Sequence, residues 1–524
     1  MCKCTALRLY DGPYFAPESK DYYVEVEGQR AFVHSVTVSS KPTNEMWRGT
    51  QRTESETEQA SLINFDFSGS VHLRVVCAWE IFNARVLPAT RNVIPVRGKR
   101  NKGDEVSFEI TEPGQYVLEI NGLHCPLHIL ANPMEEDAPD PFASNVDYHR
   151  VDEKQNFPGL YSGRPTAVAE GKDVIYFGPG IHHVNKLLIK SNQSVYIHGG
   201  AIVYGTIVAE NADNVRIFGR GILDGSRFHR DYNRTGLCTL VMLHNCTNVN
   251  VEGIILRNSI VYQLSTTGGH HIEVSNVKVF SWRRNSDGLD FHNTSDIHVH
   301  DCFVRSFDDA IVIKGQHNYQ GYPTGDYPVE NIVVERCIIW GDWGRALEFG
   351  AETSAPVMRN IVLRDCDIIH FAFVACDIQA CGSAPITDIL FENIRIGDPI
   401  DPLIGPRIIE IFIRNMVWMQ GEPLGKVYGI TFRNIINNGL CICPCRFIGQ
   451  SEEHNIENIY LENIVSGGVQ VIDEKHMLSP IILNAYADKI NLNGKPICKE
   501  NARFETEEDT CSNFLVGNGA FLVY

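Results

Sequence analysis

The sequence has no long apolar run and no excess of positive charge. No stretch of about 18 apolar residues is present, which excludes a membrane-spanning helix, and MCKCTALRLY lacks the apolar core and cleavage site of a secretion signal. The net charge of −18 disfavours nucleic acids and anionic membranes as partners, since both need a basic surface. As given, the chain is expected to be cytoplasmic; a processed form of a secreted precursor stays open.

Length and composition indicate a globular protein with more than one domain. The chain has 524 residues, of which 44% are hydrophobic and 21% are charged. Short alternating strands bounded by Gly, Pro and Asp predict an antiparallel β-sandwich over residues 1–133. The acidic, proline-containing stretch that follows predicts a linker over 134–170. A repeat then occupies 171–475, and residues 476–524 leave it and are expected to cap it.

The sixteen cysteines are expected to be mostly reduced, because the long chain shows no signal segment. Three of them share one position of the repeat, which predicts a buried stack of thiols: Cys302, Cys337 and Cys366. Two further groups have a Cys-x-Cys spacing tighter than that of zinc sites, so core or loop thiols are favoured over a metal. These groups are Cys2 with Cys4, and Cys441, Cys443 and Cys445.

The repeat is a nine-residue template that recurs ten times, with starts 20 to 41 residues apart. Positions two, four and usually nine are apolar, and position six is Gly, Asn or Asp in nine of the ten. These residue types tolerate the left-handed conformation at a bend between two short strands. A fixed template at irregular spacing indicates a solenoid with inserted loops. The segments are SVYIHGGAI (194–202), NVRIFGRGI (214–222), NVNVEGIIL (248–256), HIEVSNVKV (271–279), DIHVHDCFV (296–304), NIVVERCII (331–339), NIVLRDCDI (360–368), DILFENIRI (388–396), GITFRNIIN (429–437) and NIYLENIVS (458–466).

The predicted fold class is therefore all-β, with a right-handed parallel β-helix preceded by an antiparallel β-sandwich. A period of two and many β-branched residues disfavour helical repeats. A β-propeller is the less favoured alternative, because it lacks a one-bend template at variable spacing.

Three aspartates lie in the turns that precede equivalent strands of two neighbouring coils. Asp287 precedes the strand GLDFH, and Asp308 and Asp309 precede AIVIK, 21 and 22 residues later. Stacked strands lie about 4.8 Å apart, so the three carboxylates should converge on one patch. An isolated Asp at a joint is most simply a turn residue. Three converging carboxylates repel one another, and that cost indicates a function.

Such a cluster suits the hydrolysis of a glycosidic bond. One carboxyl group, with its pKa raised by its neighbours, protonates the leaving oxygen, while another activates water on the opposite face of the sugar. Calcium binding is the competing use of three aspartates and would favour a lyase. A non-catalytic carbohydrate-binding β-helix is the remaining alternative. We expect no cofactor and no metal at this patch.

Four motifs resemble those of glycoside hydrolase family 28, the polygalacturonases. They are GRGILDG (219–225), NSDG (285–288), SFDDAIVIKG (306–315) and GRALEFG (344–350), and the resemblance covers roughly residues 171–470. The preceding sandwich and FGPGIHHV (177–184) look more like family 49, the dextranases and isopullulanase, which shares that clan. The resemblance implies Asp308 as the general acid, Asp287 and Asp309 as the carboxylates that activate water, and inversion at the anomeric carbon. It also implies that Asn285 orients this cluster.

Two departures from family 28 bear on the chemistry. Arg345 stands in place of a histidine, and its guanidinium would lower the pKa of the acid unless it pairs with another residue such as Glu348; Asp287 as the proton donor is the minor alternative. Asp377 and Gln379 occupy the slots of the arginine and lysine that hold a uronate. We therefore expect a neutral sugar, with Asp377 and Gln379 hydrogen-bonding its hydroxyl groups.

Other residues near these motifs complete the predicted substrate site. They are Lys314 and His317 after the aspartate pair, and Trp343 before Arg345. The expected partner is an oligosaccharide or polysaccharide. The alternatives are a galacturonide-cleaving hydrolase and a lyase or transferase on the same fold, and a homo-oligomer is left open.

Overall fold

The structure is a computed structural model that describes residues 6–14, 16–40, 56–99, 104–149, 166–228, 239–319, 322–324, 327–401, 405–416, 419, 421–499 and 503–504. It confirms the predicted fold class, a parallel β-helix preceded by antiparallel sheets. No helix among these residues is long and apolar enough to cross a membrane.

Two sheets form the N-terminal β-sandwich. One has the order β1-β5-β11-β10-β7 with β4 on the other side of β5, and the second has the order β3-β2-β6-β9-β8. All pairs are antiparallel except β5 with β11. Alternate residues such as Phe65, Leu73 and Phe108 point between the sheets and form their core. The strands are β1 Ala6–Leu9, β2 Tyr22–Val26, β3 Gln29–Ala31, β4 His34–Ser39, β5 Thr57–Ser68, β6 Val71–Cys77, β7 Ala84–Leu87, β8 Val96–Lys99, β9 Asp104–Ile110, β10 Gly114–Ile120 and β11 Leu127–Pro133, with a 3₁₀ helix at Ala89–Arg91.

The strands that follow stack in parallel along the solenoid axis, apart from the hairpin β28–β29 and the short strands β41 and β44. They are β12 Val146–His149, β13 Thr166–Ala167, β14 Val174–Phe177, β15 Gly180–Ile189, β16 Ser194–Ile197, β17 Ala201–Glu210, β18 Asp213–Gly219, β19 Ile222–Asp224, β20 Val241–Glu252, β21 Ile255–Arg257, β22 Leu264–Ser275, β23 Lys278–Phe280, β24 Leu289–His292, β25 Ser295–His300, β26 Phe303–Ser306, β27 Ile311–Gly315, β28 Asn318–Tyr319, β29 Tyr322–Pro323, β30 Val329–Glu335, β31 Ile338–Gly341, β32 Leu347–Thr353, β33 Met358–Arg364, β34 Asp367–Phe371, β35 Val374–Ala380, β36 Ile386–Pro399, β37 Arg407–Ile413, β38 Val427–Asn437, β39 Cys445–Ile448, β40 Ile456–Ser466, β41 Val469–Gln470, β42 Ile481–Leu483, β43 Ala487–Leu492, β44 Lys495–Pro496 and β45 Arg503–Phe504.

Each coil contributes to three faces. The first face contains β18, β25 and β30, the second contains β23, β26 and β31, and the third contains β24, β27, β32, β35, β37 and β39. Positive φ angles occur at position six of the template in nine of the ten segments, as predicted, and also at position one in nine of the ten. The sequence reading found only one of these two bends. Short polar residues at both positions let the chain turn without a β-carbon clash.

The solenoid interior is a continuous apolar core of Ile, Val, Leu and Phe side chains from all three faces. Cys302, Cys337 and Cys366 are free and buried on successive coils, as predicted. Cys441 and Cys445 are also free and buried. Cys2 and Cys4 lie outside the described residues.

The β-sandwich packs against the second face of the solenoid. Outward-facing apolar residues of that face, such as Ile255, Phe303 and Trp340, form one core with Val36 and Leu130 of the sandwich. Removing this apolar surface from water holds the two parts together. Among the described residues, the apolar core shared with the sandwich draws on the second face and not on the third.

Buried ion pairs cross the interface between sandwich and solenoid. Arg220 Nε lies 3.2 Å from Asp66 Oδ1, and His370 Nε2 lies 2.5 Å from Glu119 Oε1. Asp66 also accepts a hydrogen bond from Tyr10. Each buried carboxylate thus has a cationic or hydrogen-bonding partner, which offsets the cost of its burial.

Parallel pairing extends beyond the predicted solenoid boundaries. Val146–His149, in the stretch predicted as a linker, pairs with Val174–Phe177. Ala487–Leu492, in the stretch predicted as a cap, pairs with β40. The division into four segments at 133, 170 and 475 stays a prediction.

Candidate active site

The predicted aspartates lie at the start of the third face. Leu289 pairs with Ile311, and Ile311 pairs with Leu347, so the residues two positions earlier are equivalent on three successive coils. Those residues are Asp287, Asp309 and Arg345. Main-chain hydrogen bonds from Gly288 N to Asp309 O and from Ala310 N to Arg345 O fix this register. The coil spacing therefore places two carboxylates and one guanidinium in a column, with Asp308 beside them.

The turns before the strands hold the carboxylates through main-chain donors. Asn285 has a φ of 56°, and its N–H donates to Asp308 Oδ2 over 3.1 Å. The N–H of Arg345 donates to Asp309 Oδ1 over 2.9 Å. A β-carbon at Gly344 would lie 2.4 Å from the main chain of Asp308 and Asp309, so only glycine permits this approach. These contacts place Asn285 where the resemblance predicts an orienting residue.

The three predicted carboxylates each keep some exposed surface. Asp287, Asp308 and Asp309 are 3%, 7% and 9% exposed, whereas Glu348 and Asp377 behind them are 0% exposed. We refer to Asp287, Asp308 and Asp309 as the carboxylate cluster. The carboxylate cluster is thus slightly more exposed than Glu348 and Asp377.

Burial raises the pKa of Asp308 well above its ordinary value, and the negative charges of Asp309 and Asp287 add to the shift. Arg345 and Lys314 oppose it to a smaller extent. The protonated form of Asp308 is therefore favoured. The sequence reading anticipated that Arg345 would lower the pKa of this acid, and burial and the two carboxylates outweigh that influence.

Asp287 shares a buried lysine with a second aspartate. Lys314 Nζ lies 2.9 Å from Asp287 Oδ2 and 2.9 Å from Asp290 Oδ1, and it lies over the ring of Tyr262. Burial raises the pKa of Asp287 to about 6, Lys314 opposes that rise, and Asp309 adds to it. Lys314 thus lies beneath the cluster, at 3% exposure, and favours the ionised form of Asp287. Its predicted role in substrate binding stays a prediction.

Arg345 is held by carboxylates on both sides. Its Nε lies 3.2 Å from Asp377 Oδ2, its Nη1 lies 3.8 Å from Asp309 Oδ1, and its guanidinium lies over the ring of Phe373. Glu348 was suggested as its partner; the carboxylates in contact with Arg345 are those of Asp377 and Asp309, and the negative charge of Glu348 also helps to raise the pKa of Arg345. Because Arg345 is shared between these two groups, it neutralises Asp309 more than Asp308.

Glu348, Asp377 and Gln379 were predicted to contact the substrate, and this role stays a prediction. Glu348 pairs in register with Asp377 on the next coil, and both are fully buried; Gln379 is 1% exposed. Gln379 Nε2 donates to Glu348 Oε1. Burial raises the pKa values of Glu348 and Asp377 well above the ordinary range. These three side chains lie behind the carboxylate cluster. They come from the strands themselves, whereas the members of the cluster come from the turns that precede the strands.

Trp343 and His317 have different surroundings. Trp343 was predicted to belong to the substrate site, and this role stays a prediction. It lies in a stack between Phe307 and Phe373, with centroid distances of 6.4 and 6.1 Å, and is 7% exposed. The side chain of His317 is half-exposed, and its Nε2 lies 3.2 Å from Glu422, which leaves it accessible at the edge of the third face.

The sequence reading missed Asp290 and His292. Both are fully buried on the outward side of β24, and His292 pairs in register with Lys314. The alternation of GLDFH could have identified them, since Leu289 and Phe291 face the core and the residues between them must face the site.

Comparison with known proteins agrees with this geometry. Residues 192–406 match the model of glycosyl hydrolases family 28. A probable polygalacturonase of Vitis vinifera is 22% identical over 162 residues, 30% of this chain and 33% of that protein. Polygalacturonase QRT2 of Arabidopsis thaliana is 23% identical over 231 residues, 36% of this chain and 52% of that protein. The matched segments span a third to about half of these relatives.

The fold of the whole chain is similar to that of a solved structure. Dex49A from Penicillium minioluteum aligns with a TM-score of 0.58 over 95% of this chain and 94% of that one, at 14% identity. At this identity the likeness concerns the fold. The family match covers the coils that carry the complete carboxylate cluster. Residues 192–406 are therefore similar to glycosyl hydrolases of family 28, and the fold of the chain is similar to that of Dex49A.

Proposed function

We propose that the protein is an inverting glycoside hydrolase in which Asp308 is the general acid and Asp287 and Asp309 activate water. The observation that carries the proposal is the unequal surroundings of three adjacent carboxyl groups. Burial and two negative neighbours favour the protonated form of Asp308. Asp287 contacts Lys314, and Asp309 accepts the N–H of Arg345. An acid that holds its proton beside carboxylates with positive partners is the division of roles that hydrolysis needs.

The reaction follows from those roles. The Asp308 carboxyl group donates its proton to the glycosidic oxygen as the bond from that oxygen to the anomeric carbon breaks. A water molecule attacks the anomeric carbon from the opposite face and gives its proton to Asp287 or Asp309. One attack by water from the far side inverts the anomeric centre. Proton release from Asp287 or Asp309 to solvent and reprotonation of Asp308 restore the starting state.

A neutral sugar is the proposed substrate at the cleavage site. The two cations nearest the carboxylate cluster are already engaged, Lys314 by Asp287 and Asp290, and Arg345 by Asp309 and Asp377. A uronate carboxylate would have to displace a buried carboxylate to reach either cation, which is costly in both desolvation and repulsion.

A galacturonide is the second proposed substrate class. The observations that favour it are the two matching relatives named as polygalacturonases and the position of Arg283, two residues before Asn285. Its guanidinium donates to the main-chain carbonyls of Phe228 and Ser226, which satisfy hydrogen bonds without neutralising its charge. Arg283 could then pair with a uronate.

The substitution Asp308→Asn tests the assignment of the acid. We expect turnover to fall by about 10²- to 10⁴-fold, because the proton on the leaving oxygen is lost, while sugar binding persists. Asp388→Asn is the matched control, since Asp388 is an exposed joint residue with a φ of 54°, where asparagine is well tolerated. Unchanged turnover in Asp308→Asn would refute this role.

The substrate class and stereochemistry are tested together. Neutral oligosaccharides, aryl α- and β-glycosides and galacturonides are incubated with the protein, and proton NMR follows the anomer released first. We expect cleavage of a neutral substrate with inversion. Preferred cleavage of galacturonides, abolished by Arg283→Met, would replace the neutral substrate by the second class. A retained anomer or an unsaturated product would overturn the inverting hydrolysis.

A further inference from the structure

The first face of the solenoid carries a histidine–glutamate cluster that the proposed hydrolysis does not use. Glu273 lies on β22, and His298 and His300 lie on the next coil in β25; Glu273 pairs in register with His298. His298 and His300 are two residues apart on one strand, so both point to the same side. Their rings lie 4.4 Å apart. Two rigid, adjacent strands therefore bring three potential metal ligands together.

The donor atoms of these three side chains all lie within 4.8 Å of one another. In a zinc site with bonds of about 2.0–2.2 Å, donor atoms are at most about 4 Å apart. Small rotations of the side chains would therefore close them around one ion. Glu273 is exposed, and the two histidines are intermediate in exposure, so the movement needs no change in the core.

The surrounding carboxylates orient both imidazole rings. His300 Nδ1 lies 2.6 Å from Asp301 Oδ2, and its Nε2 faces Glu273 Oε1 at 3.2 Å. His298 Nε2 lies 3.1 Å from Glu335 Oε1. In His300, a carboxylate on one ring nitrogen and the other nitrogen facing Glu273 form the usual outer arrangement of histidine metal sites.

A groove beside the cluster gives solvent and ions access to it. The groove has a volume of about 610 Å³, and its lining includes Glu273, His298, His271 and Asp296. The last two stand at position one of the template, where three neighbouring coils carry Asn248, Asn331 and Asn360. At position one, the coils that carry the histidine–glutamate cluster thus have the titratable residues His271 and Asp296, where neighbouring coils have asparagine.

We infer that Glu273, His298 and His300 bind one divalent transition-metal ion of the zinc type, with a fourth position open to water. Two imidazoles and one carboxylate suit zinc and its neighbours, whereas calcium and magnesium prefer oxygen ligands alone. The proton between His300 Nε2 and Glu273 leaves when the ion binds, and no electron is transferred. The ion would link two consecutive coils, so it is expected to stabilise the first face.

Zinc titration of the full chain in competition with a chromogenic chelator tests this inference. We expect one zinc ion per chain, and at least about tenfold weaker binding in Glu273→Gln and in the double variant His298→Ala/His300→Ala. The substitution Asp301→Asn, which removes the support of His300, should weaken binding by about 10- to 100-fold. His271→Ala is the matched control, because His271 lines the same groove outside the cluster, and it should bind zinc as the parent does.

Cobalt absorption separates this site from the cysteines. Nitrogen and oxygen ligands give weak visible bands, and thiolate ligands add an intense near-ultraviolet charge-transfer band. We expect the visible bands alone, lost in the double variant, with circular dichroism showing that this variant keeps its strands. Equal zinc affinity in the parent and the double variant, or a spectrum dominated by the thiolate band, would overturn the inference. Because the cluster lies on a different face from Asp308, glycoside hydrolysis should be the same with and without zinc.

Discussion

The second and third faces of the solenoid both bury charged groups, but they treat them in opposite ways. At the interface with the sandwich, Glu119 contacts His370 and Arg85, and these contacts lower its pKa in spite of its burial. On the third face, burial and like charges raise the pKa of Asp308. The comparison separates carboxylates that hold the fold together from carboxylates that are set up for proton transfer.

The two faces also differ in how many carboxyl groups there are for each buried cation. Around the carboxylate cluster, six carboxyl groups lie near the two buried cations Lys314 and Arg345, so some of the acids must hold protons to avoid repulsion. A fold gains nothing from such a surplus, and its presence beside an open face indicates chemistry. The six are Asp287, Asp290, Asp308, Asp309, Glu348 and Asp377.

The largest expected effect on stability comes from breaking a pair on the second face. Arg220→Met would leave Asp66 buried without its cation, so we expect the free energy of unfolding to fall by about 3–5 kcal/mol, measured by urea denaturation. Arg359→Met is the matched control: Arg359 is exposed and pairs with Glu330, so the loss should be below about 1 kcal/mol. Equal losses in the two variants would remove the distinction between buried and surface pairs.

On the third face, we expect a substitution that removes a charge to increase the stability of the folded protein. The pKa of Asp287 is raised to about 6, so the folded state resists its ionisation. This penalty is absent below pH 4 and complete above pH 6. It corresponds to about 3 kcal/mol by the usual conversion of pKa into free energy. Asp287→Asn should therefore unfold at a higher temperature than the parent at pH 8, with no gain at pH 4. A loss of stability at both pH values would contradict the idea of surplus charge.

The balance between Lys314 and Asp287 can be tested through the pH dependence of hydrolysis. Because Lys314 lowers the pKa of Asp287, Lys314→Met should move the acidic limb of the rate profile to higher pH by about 1 to 3 pH units. Lys489→Met is the control, since Lys489 is an exposed residue paired with Glu457, and its profile should match the parent's. An unmoved acidic limb in Lys314→Met would show that Asp287 does not control it.

The fold could be predicted from the sequence because each coil repeats the same short pattern of apolar and bend residues. The alternation and the bend residues occur in each segment, so an error in one is corrected by the others. The joints of Asp287, Asp308 and Asp309 were predictable for the same reason, since their spacing equals one coil. The second bend, at residues such as Asn331, was missed because the template was aligned on its apolar positions.

The surroundings of the carboxylates could not be predicted in the same way. Whether Arg345 contacts Glu348 or Asp377 depends on which rotamer the packing of Phe373 permits. The burial of Trp343 depends on rings contributed by two other coils. Sequence spacing gives the coil and the side of the strand, but not the distance between long side chains.

The central claim is that Asp308 stays protonated at neutral pH. Infrared difference spectroscopy between the parent protein and Asp308→Asn at pH 7 tests it directly. We predict that the parent shows the carbonyl stretch of a protonated carboxyl group and that the variant loses it. A difference spectrum that contains only carboxylate bands would show that Asp308 is ionised and would contradict its role as the acid.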